Sequence, residues 1–328
     1  MYECVYEVMF MKTILKKKIL FIMFTCVIVL GICTTAFLVN ANQITDEHTV
    51  PIAMAADDNY TYPTIVSITS LMVNSNEKTN YDIYIMTPGE FTQENKNKIL
   101  NLEEKYNRCR IKLIDMQDKY KNANDKGHIT TPAYYRLSLS NLLPNLDKII
   151  WLDGDTLIFD DLTKLFNIDM KNYYYKGFLD NNINGTKDFG IENDHYICSG
   201  VMLVNLKDLR KDKVEDKFNE FIELNNEKLK QHDQTVINVV CGDKTGVLPA
   251  KYGIFNFSDM ESAKMYASKL IAKNRYSKSE IKNAYKNPII LHCVVKPWKN
   301  LNFNQAELWW DYAEKTGYLD DIKQFYNI

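Results

Sequence analysis

Residues 143–162 have the sequence LPNLDKIIWLDGDTLIFDDL and carry the clearest structural signal in the chain. The central run 148–152 is short, apolar and rich in branched and aromatic side chains, which predicts a buried strand. It ends abruptly at Asp153-Gly154-Asp155, so two carboxylates directly follow the strand. Ligands of a doubly wound sheet bind beyond the carboxyl ends of its strands, and this position therefore predicts a functional site.

On both sides of this segment, short apolar runs alternate with amphipathic runs. This pattern is typical of successive strand, helix, strand units, and it predicts an α/β fold with helices flanking the sheet. Predicted strands lie at 50–55, 82–86, 110–114, 148–152 and 200–205. Predicted helices lie at 62–74, 92–106, 132–141, 216–230 and 231–240.

Composition limits the classes of protein to consider. With 328 residues, 46% of them apolar, the chain can bury the core of one large α/β domain or of a domain with accessories. The 40 basic and 42 acidic side chains nearly cancel, and no basic stripe interleaved with aromatic residues occurs outside the leader, which disfavours a nucleic-acid role. Seven cysteines without a CxxC pair indicate neither a zinc ribbon nor a disulfide framework.

The leader predicts a membrane anchor. Three lysines at 16–18 precede an uncharged run at 19–39, which would span about 31 Å as a helix. We predict a basic cytoplasmic leader at 1–18, a transmembrane helix at 19–39 and a short stem at 40–49, with the rest of the chain translocated. The alternative is a cleaved signal peptide, because Val39-Asn40-Ala41 resembles a cleavage site.

A cluster of short polar residues follows the first predicted strand. It comprises Asp57, Asp58, Asn59 and Tyr60, directly after Ala55-Ala56. A carboxylate at this position can bind ribose hydroxyls or the uracil edge. The alternative is a helix N-cap, for which Asp and Asn are preferred in any case.

The Asp153-x-Asp155 pair predicts a divalent-metal site. In an extended segment, residues i and i+2 project to one side, about 6.6 Å apart. Carboxylate oxygens suit Mg²⁺ or Mn²⁺, and such an ion can neutralise a pyrophosphate. The Asp-x-Asp motif of haloacid-dehalogenase phosphatases is an alternative, but that motif has Thr or Val where this chain has Leu157.

A late apolar run at 289–291 is followed by His292 and, four positions later, by Lys296. A neutral imidazole can complete the ligand set of a metal ion, and a lysine can meet a diphosphate as a point charge. The alternative for His292 is a buried, hydrogen-bonded histidine. The order along the chain, an acceptor cluster, then Asp-x-Asp, then His and Lys, favours the ligand hypothesis.

This order resembles that of the family 8 retaining glycosyltransferases, such as glycogenin and the bacterial lipooligosaccharide α-galactosyltransferases. The resemblance runs from about residue 50 to residue 300. It implies a GT-A type, Rossmann-like mixed sheet at 50–300 and a C-terminal helical extension at 301–328. The motifs that carry it are AADDNY at 55–60, YYRLSL at 134–139, the segment 143–162, SGVMLVNL at 199–206, HDQTVIN at 232–238 and KPW at 296–298.

The resemblance implies a donor site for a UDP-sugar. Ala55, Asp57 and Asn59 would hold the uridine, and Arg136 would help to hold the donor. Lys296 would contact the pyrophosphate oxygens.

It also implies a Mn²⁺ or Mg²⁺ site formed by Asp153, Asp155 and His292, with Asp153 beside the diphosphate. Two features depart from the family pattern. Cys198 stands where the family usually has Asn, and only three residues separate His292 from Lys296 where five are usual.

Three residues would act at the reaction centre. Asp180 and Asp233 fall at donor-sugar positions, and Gln234 falls at the position of a debated nucleophile. His128 matches a donor or acceptor contact. An amide is a poor nucleophile, so we favour a front-face route in which Gln234 orients the sugar and the leaving diphosphate takes the acceptor proton.

The implied function is a metal-dependent, retaining transfer of a hexose, galactose or glucose, from a UDP-sugar to a glycan or glycolipid acceptor, as in lipopolysaccharide or other cell-surface glycan synthesis. The implied location is a single-pass membrane protein, of Golgi type II orientation in a eukaryote or in the inner membrane of a bacterium. The alternative is an inactive family member that serves as a membrane-tethered binding protein.

Overall fold

A seven-stranded mixed sheet forms the centre of the structure. This computed structural model describes residues 49–123, 131–180, 188–189, 196–272, 275–303 and 305–328. The predicted leader and transmembrane segment at 19–39 lie outside these ranges. Within them, no helix has both the length and the apolar character needed to cross a membrane.

The strands fall into two sheets. Their bounds are β1 Thr49–Ala55, β2 Asn80–Thr87, β3 Cys109–Asp115, β4 Lys148–Leu152, β5 Thr156–Ile158, β6 Tyr175–Leu179, β7 Ile197–Asn205, β8 Thr245–Val247, β9 Ile254–Phe255 and β10 Ile290–His292. The large sheet has the order β3-β2-β1-β4-β7-β6-β8, and the small sheet has the order β5-β10-β9.

Helices connect and cover these strands. The α-helices are α1 Thr61–Asn74, α2 Gln93–Lys105, α3 Leu139–Leu142, α4 Thr163–Phe166, α5 Leu206–Lys211, α6 Val214–Asn225, α7 His232–Cys241, α8 Met260–Ala272, α9 Lys278–Lys286, α10 Ala306–Thr316 and α11 Leu319–Tyr326. Short 3-10 helices occur at Asp58–Tyr60, Thr131–Ser138, Asn226–Lys228, Gly242–Lys244 and Ala250–Tyr252.

The large sheet is buried on both faces, as expected for a sheet with parallel strands at its centre. Successive side chains of a strand point to opposite faces, and β4 shows the alternation clearly. Ile150 and Leu152 belong to one apolar cluster, whereas Ile149 and Trp151 belong to a second cluster on the other face. The α/β fold with a mixed sheet flanked by helices is therefore confirmed.

One strand of the large sheet is reversed. Strand β7 runs antiparallel to both of its neighbours, β4 and β6, while the other neighbouring pairs of this sheet are parallel. The amino end of β7 consequently lies at the same edge as the carboxyl ends of β1 and β4. Residues that precede or begin β7 can therefore contribute to a site at that edge.

The register of the small sheet brings two distant parts of the chain together. Strands β5 and β10 are antiparallel, and His292 pairs with Thr156. Because Thr156 directly follows Asp155, this pairing places His292 beside the second carboxylate of the Asp-x-Asp pair.

One local prediction was wrong. Asp153-Gly154-Asp155 is a turn between β4 and β5 and not an extended segment, because the chain passes there from the large sheet to the small one. The helical stretch predicted at 132–141 is confirmed, as a 3-10 helix at Thr131–Ser138 followed by α3 at Leu139–Leu142.

The C-terminal helices and the cysteines complete the packing. Trp309 of α10 and Ile322 of α11 are fully buried in the main apolar cluster. Among the residues that the structure describes, four cysteines are buried and free of disulfides: Cys109, Cys198, Cys241 and Cys293.

Candidate active site

The predicted site residues converge where β4 ends and β7 begins. The amide of Asp153 donates to the carbonyl of Gly200 over 2.8 Å, which joins the carboxyl end of β4 to the amino end of β7. The amide of Cys293 donates to the carbonyl of Asp155 over 2.9 Å and attaches the end of β10 to the same edge. Three strand ends thus meet at one place.

Asp153, Asp155 and His292 form a compact group of possible metal ligands. One ligand atom from each lies within 4.8 Å of the others. His292 Nε2 is 3.1 Å from Asp155 Oδ1 and 3.9 Å from Asp153 Oδ2. Asp155 and His292 are buried, whereas Asp153 is half-buried and faces the open side of the group.

Gly200 makes this close approach possible. A Cβ atom at this position would lie 2.2 Å from His292 Cε1 and 2.9 Å from Asp153 Oδ2. Both distances are shorter than a van der Waals contact, so only glycine fits without displacing a ligand. Sequence reasoning did not assign Gly200 to the site, although a glycine inside a strand is a known signal of close approach.

The charges of the group are strongly coupled. Burial acts to raise the pKa of Asp155, but the Lys296 ammonium and His292 outweigh burial and hold this pKa below its usual range. Burial acts to lower the pKa of His292, but Asp155 and Cys198 together outweigh burial and raise this pKa to about 10. Metal binding at His292 requires the neutral imidazole, so it would release a proton.

Lys296 reaches the group despite its short spacing from His292. Its Nζ contacts Asp155 Oδ2 and donates to the carbonyl of Cys293 over 3.1 Å. The loop between them is held by Asn256, which donates to the carbonyl of Val295 over 2.7 Å and accepts from its amide over 2.9 Å. The short loop therefore places both His292 and Lys296 next to Asp155.

Arg136 is buried beneath the group and bridges two carboxylates. Its Nη2 is 2.9 Å from Asp153 Oδ1, and its Nε is 3.0 Å from Asp233 Oδ2. Its guanidinium also contacts the carbonyl of Ser199 and lies 4.5 Å from the ring centroid of Trp151. Arg136 thus positions Asp153 and Asp233, and the predicted contact of Arg136 with the donor stays a prediction.

A hydrogen-bonded chain links the other predicted reaction-centre residues. The side chain of Gln234 accepts from the amide of Ser199 over 3.0 Å and donates to Asp180 Oδ2 over 2.9 Å. Burial raises the pKa of the neighbouring Asp233 to about 6, although Arg136 acts to lower it. His128 lies in segment 124–130, outside the described residues.

Asn238 supports this chain and was missed in the sequence. Its side chain accepts from the amide of Ile197 over 2.8 Å and donates to the carbonyls of Ile197 and Gln234 over 2.9 and 2.8 Å. These bonds fasten α7 to the amino end of β7. The available signal was an amide side chain in the apolar run that follows HDQ, where a buried polar group needs partners.

The loop after β1 lies at the same edge, and its two carboxylates act in local structure. Asp57 Oδ1 accepts from the amide of Tyr60 over 2.9 Å, which is the N-cap alternative. Asp58 Oδ1 accepts from Thr92 Oγ1 and Asn95 Nδ2, each over 2.7 Å, and so ties the loop to α2. Ala55 is half-buried and Asn59 is exposed, and the uridine contacts stay predictions.

Cys198 and His292 are neighbours. The Sγ atom of Cys198 lies 3.7 Å from His292 Nδ1, on the ring nitrogen opposite the one that faces the carboxylates. The residue that departs from the family pattern is therefore in contact with a predicted ligand.

Two solved glycosyltransferases share this fold. The galactosyltransferase LgtC, solved with donor and acceptor sugar analogs, gives a TM-score of 0.67 at 21% identity and covers 81% of this chain and 96% of its own. The bifunctional glycosyltransferase WbbM gives a TM-score of 0.68 at 18% identity over 85% of this chain and 52% of its own. The fold is therefore of the GT-A type.

The chain belongs to glycosyl transferase family 8, whose model matches residues 51–302. Lipopolysaccharide 1,2-glucosyltransferase of Escherichia coli is 24% identical over 301 residues, which cover 87% of this chain and 80% of that protein. A Haemophilus influenzae relative is 30% identical over 220 residues. That match covers 64% of this chain and 64% of the relative, so about a third of the relative's length lies outside the match.

Proposed function

We propose that this chain is a metal-dependent, retaining glycosyltransferase that moves galactose or glucose from a UDP-sugar to a glycan or glycolipid acceptor. The observation that carries the proposal is the convergence of Asp153, Asp155, His292 and Lys296 at one edge of the large sheet. The names of the Escherichia coli and LgtC relatives support a hexose as the transferred group.

The side chains present fit a divalent ion. Two carboxylates and one imidazole, with ligand atoms within 4.8 Å of one another, suit Mn²⁺ or Mg²⁺, and the absent Cβ of Gly200 leaves the ligands room to converge. The chemistry that such an ion supplies when bound is neutralisation of the diphosphate charge as UDP departs.

Lys296 supplies a positive charge from the chain itself. Its ammonium group sits against Asp155, on the loop that directly follows His292. A lysine held there by Asn256 and the Cys293 carbonyl can contact diphosphate oxygens and stabilise the charge that develops on them.

Gln234 orients the donor sugar and does not attack it. Its amide oxygen accepts from Ser199, and its amide nitrogen donates to Asp180, so both ends are held by the protein. An amide in this position is a poor nucleophile. The acceptor hydroxyl therefore attacks from the face on which UDP departs, and the leaving diphosphate takes its proton, so that Asp233 is not needed as a base.

The loop at 55–60 binds the uridine in this proposal. It lies at the carboxyl end of β1, next to the diphosphate side of the site, and is held in shape by Asp57 and Asp58. The side chain of Asn59 is exposed and takes no part in the hydrogen bonds that Asp57 and Asp58 accept.

The test is hydrolysis of a panel of UDP-sugars by the full chain, with Mn²⁺, with Mg²⁺ and with a chelator. Asp155→Ala removes a ligand, and Asp147→Asn is the matched control. Asp147 is an exposed carboxylate just before the other end of β4 and forms only long ion pairs, at 3.9 and 3.8 Å.

We expect release of UDP from one sugar, dependent on metal, lost in Asp155→Ala and unchanged in Asp147→Asn. The absence of both turnover and metal-dependent UDP binding would support the alternative of an inactive binding protein. Early NMR spectra of the released hexose test the stereochemistry, because a retaining enzyme releases the α-anomer first from an α-linked donor.

The proposal includes a membrane anchor at 19–39 with a cytoplasmic N-terminus. Fractionation and carbonate extraction of the full chain, compared with a chain that begins at residue 41, test it. Recovery of the full chain in the soluble fraction would contradict the anchor.

A further inference from the structure

Trp298 connects the loop that carries Lys296 to an aromatic cluster. Its side chain is buried, and its ring lies 5.1 Å from that of Trp309, 5.9 Å from that of Tyr326 and 6.2 Å from that of Tyr60, centroid to centroid. Tyr60 belongs to the loop after β1, while Trp309 and Tyr326 belong to α10 and α11. The ring of Trp298 therefore contacts both the loop at 55–60 and the two C-terminal helices.

The same two helices bond to the backbone of each loop. The Tyr326 hydroxyl donates to the carbonyl of Asn59 over 3.3 Å. The Trp310 indole N–H donates to the carbonyl of Pro297 over 3.4 Å. Helix α11 thus holds the backbone carbonyl of Asn59, a predicted uridine contact. Helix α10 holds the backbone carbonyl of Pro297, the residue after Lys296.

The position of α11 is fixed independently of these loops. Ile322 is fully buried in the apolar cluster, and the ring of Tyr62 on α1 contacts Phe325 at 5.4 Å and Tyr318 at 6.4 Å. Because the helix is fixed by the core and by α1, its contacts with the loops restrain the loops in addition to the bonds of Asp57, Asp58 and Asn256.

We propose that α10 and α11 hold the loop at 55–60 and the loop at 293–298 in one arrangement, with Tyr326 and Trp310 as positioning residues for the UDP moiety. This inference rests on the proposed function. It assigns the C-terminal helices a role in donor affinity, although neither helix carries a predicted donor contact.

Four variants of the full chain test the inference. Tyr326→Phe removes only the hydroxyl, Tyr326→Ala removes the ring as well, and Trp310→Phe removes the indole N–H. Gln324→Ala is the matched control, because Gln324 lies on the same helix, is exposed, and its side chain forms no hydrogen bond or ion pair among the described residues.

The measurements are the Kd for UDP in Mn²⁺ by calorimetry, the KM and kcat for UDP-sugar hydrolysis, and the Tm of each variant. We expect Tyr326→Ala to weaken UDP binding about tenfold and to raise KM with kcat little changed. Tyr326→Phe and Trp310→Phe should weaken binding about threefold each. Gln324→Ala should leave the Tm unchanged and the Kd within about twofold.

If the unaltered chain binds UDP and Tyr326→Ala binds it as well as Gln324→Ala does, the inference is overturned and the proposed function stands. If the unaltered chain binds no UDP, the proposed function fails and the inference fails with it.

A second measurement avoids the risk that Tyr326→Ala does not fold. Coupling between two sites is reciprocal, so UDP with Mn²⁺ must stabilise α11 in the unaltered chain. Hydrogen exchange at Leu319–Tyr326 should slow on binding, with α6 at Val214–Asn225 as the internal reference. Equal exchange in α11 with and without bound UDP would overturn the inference.

Discussion

The two sides of the candidate site are held by different forces. The carboxylate side, formed by Arg136, Asp153, Asp155, Asp233 and Gln234, is fixed by ion pairs and hydrogen bonds among buried strands and α7. The aromatic side, formed by Tyr60, Trp298, Trp309 and Tyr326, is fixed mainly by ring contacts.

The comparison shows how each side should respond to change. A buried polar network is sensitive to the loss of any one member, because the partner group is left without compensation in a medium of low dielectric constant. Ring contacts are less directional, so their loss should loosen the loops gradually. Changes on the carboxylate side should therefore abolish chemistry, whereas changes on the aromatic side should weaken donor affinity.

Lys296→Met should give the largest loss of activity. It tests the point where the two sides join, because Lys296 contacts Asp155 and lies two residues before Trp298. It removes the positive charge beside Asp155 and keeps a side chain of similar length. We expect turnover of the UDP-sugar to fall about 1000-fold, as for loss of one group that stabilises developing charge. Steady-state kinetics measure it, and Lys299→Met, an exposed lysine three residues later, is the control. A fall of less than tenfold would assign the leaving-group charge to other residues.

Gly200→Ala should nearly abolish activity without touching a polar atom. The new Cβ would meet His292 and Asp153 within 3 Å and displace them, and a displacement of about 1 Å can cost about 100-fold in rate. Calorimetric Mn²⁺ affinity and turnover should fall together. Gly89→Ala, in the loop after β2, is the control, because its Cβ would meet no atom closer than 3.4 Å. Normal Mn²⁺ affinity in the Gly200 variant would show that the ligands tolerate the shift.

Asn238→Ala should lower stability more than activity. It leaves the Ile197 amide and carbonyl without their side-chain partner, and each buried unsatisfied group costs about 1–3 kcal/mol. We expect the free energy of unfolding, measured in urea, to fall by about 3 kcal/mol. Asn283→Ala, an exposed asparagine on α9, should change it by less than about 0.5 kcal/mol. Equal effects in the two variants would argue against Asn238 as the fastening of α7.

Asp233→Asn should change the pH dependence of stability. Burial raises the pKa of Asp233 to about 6 in the folded state, from an ordinary value of 3.8. Between these values the folded state binds more protons than the unfolded state, so the contribution of Asp233 to stability is largest below pH 3.8 and is lost as the pH rises through 6. Urea titrations from pH 4 to 7 should show this decline in the unaltered chain relative to the variant. Parallel curves would contradict it.

The fold could be predicted from the sequence because its signals are local. The apolar run of β4 indicated a buried strand, which is observed, and a cluster of possible metal ligands lies at the carboxyl end where the polar residues predicted a site. The meeting of His292 with the Asp-x-Asp pair was expected only from motif order. Its physical cause is the pairing of Thr156 with His292 between β5 and β10, which no local pattern encodes.

The remaining site residues depend on tertiary structure. Gly200 matters because β7 is reversed and passes His292 closely, and strand direction could not be predicted from the apolar run alone. The turn at Gly154 was also missed. Its glycine is needed because a Cβ there would come within 2.5 Å of the hydroxyl of Thr64 on α1, a residue that is distant in sequence. Contacts of this kind form between elements that are distant in sequence.

The alkylation rates of the buried cysteines report how often the parts of the fold around them open to solvent. Burial raises the pKa of Cys241 and of Cys293, which keeps these thiols protonated and slow to react with alkylating reagents at neutral pH. Alkylation of each cysteine is then limited by how often its surroundings open to solvent. Cys198 and Cys293 flank the carboxylate side, and Cys109 begins the edge strand β3. Labelling rates measured by mass spectrometry would therefore distinguish local opening of the site from unfolding of the sheet edge.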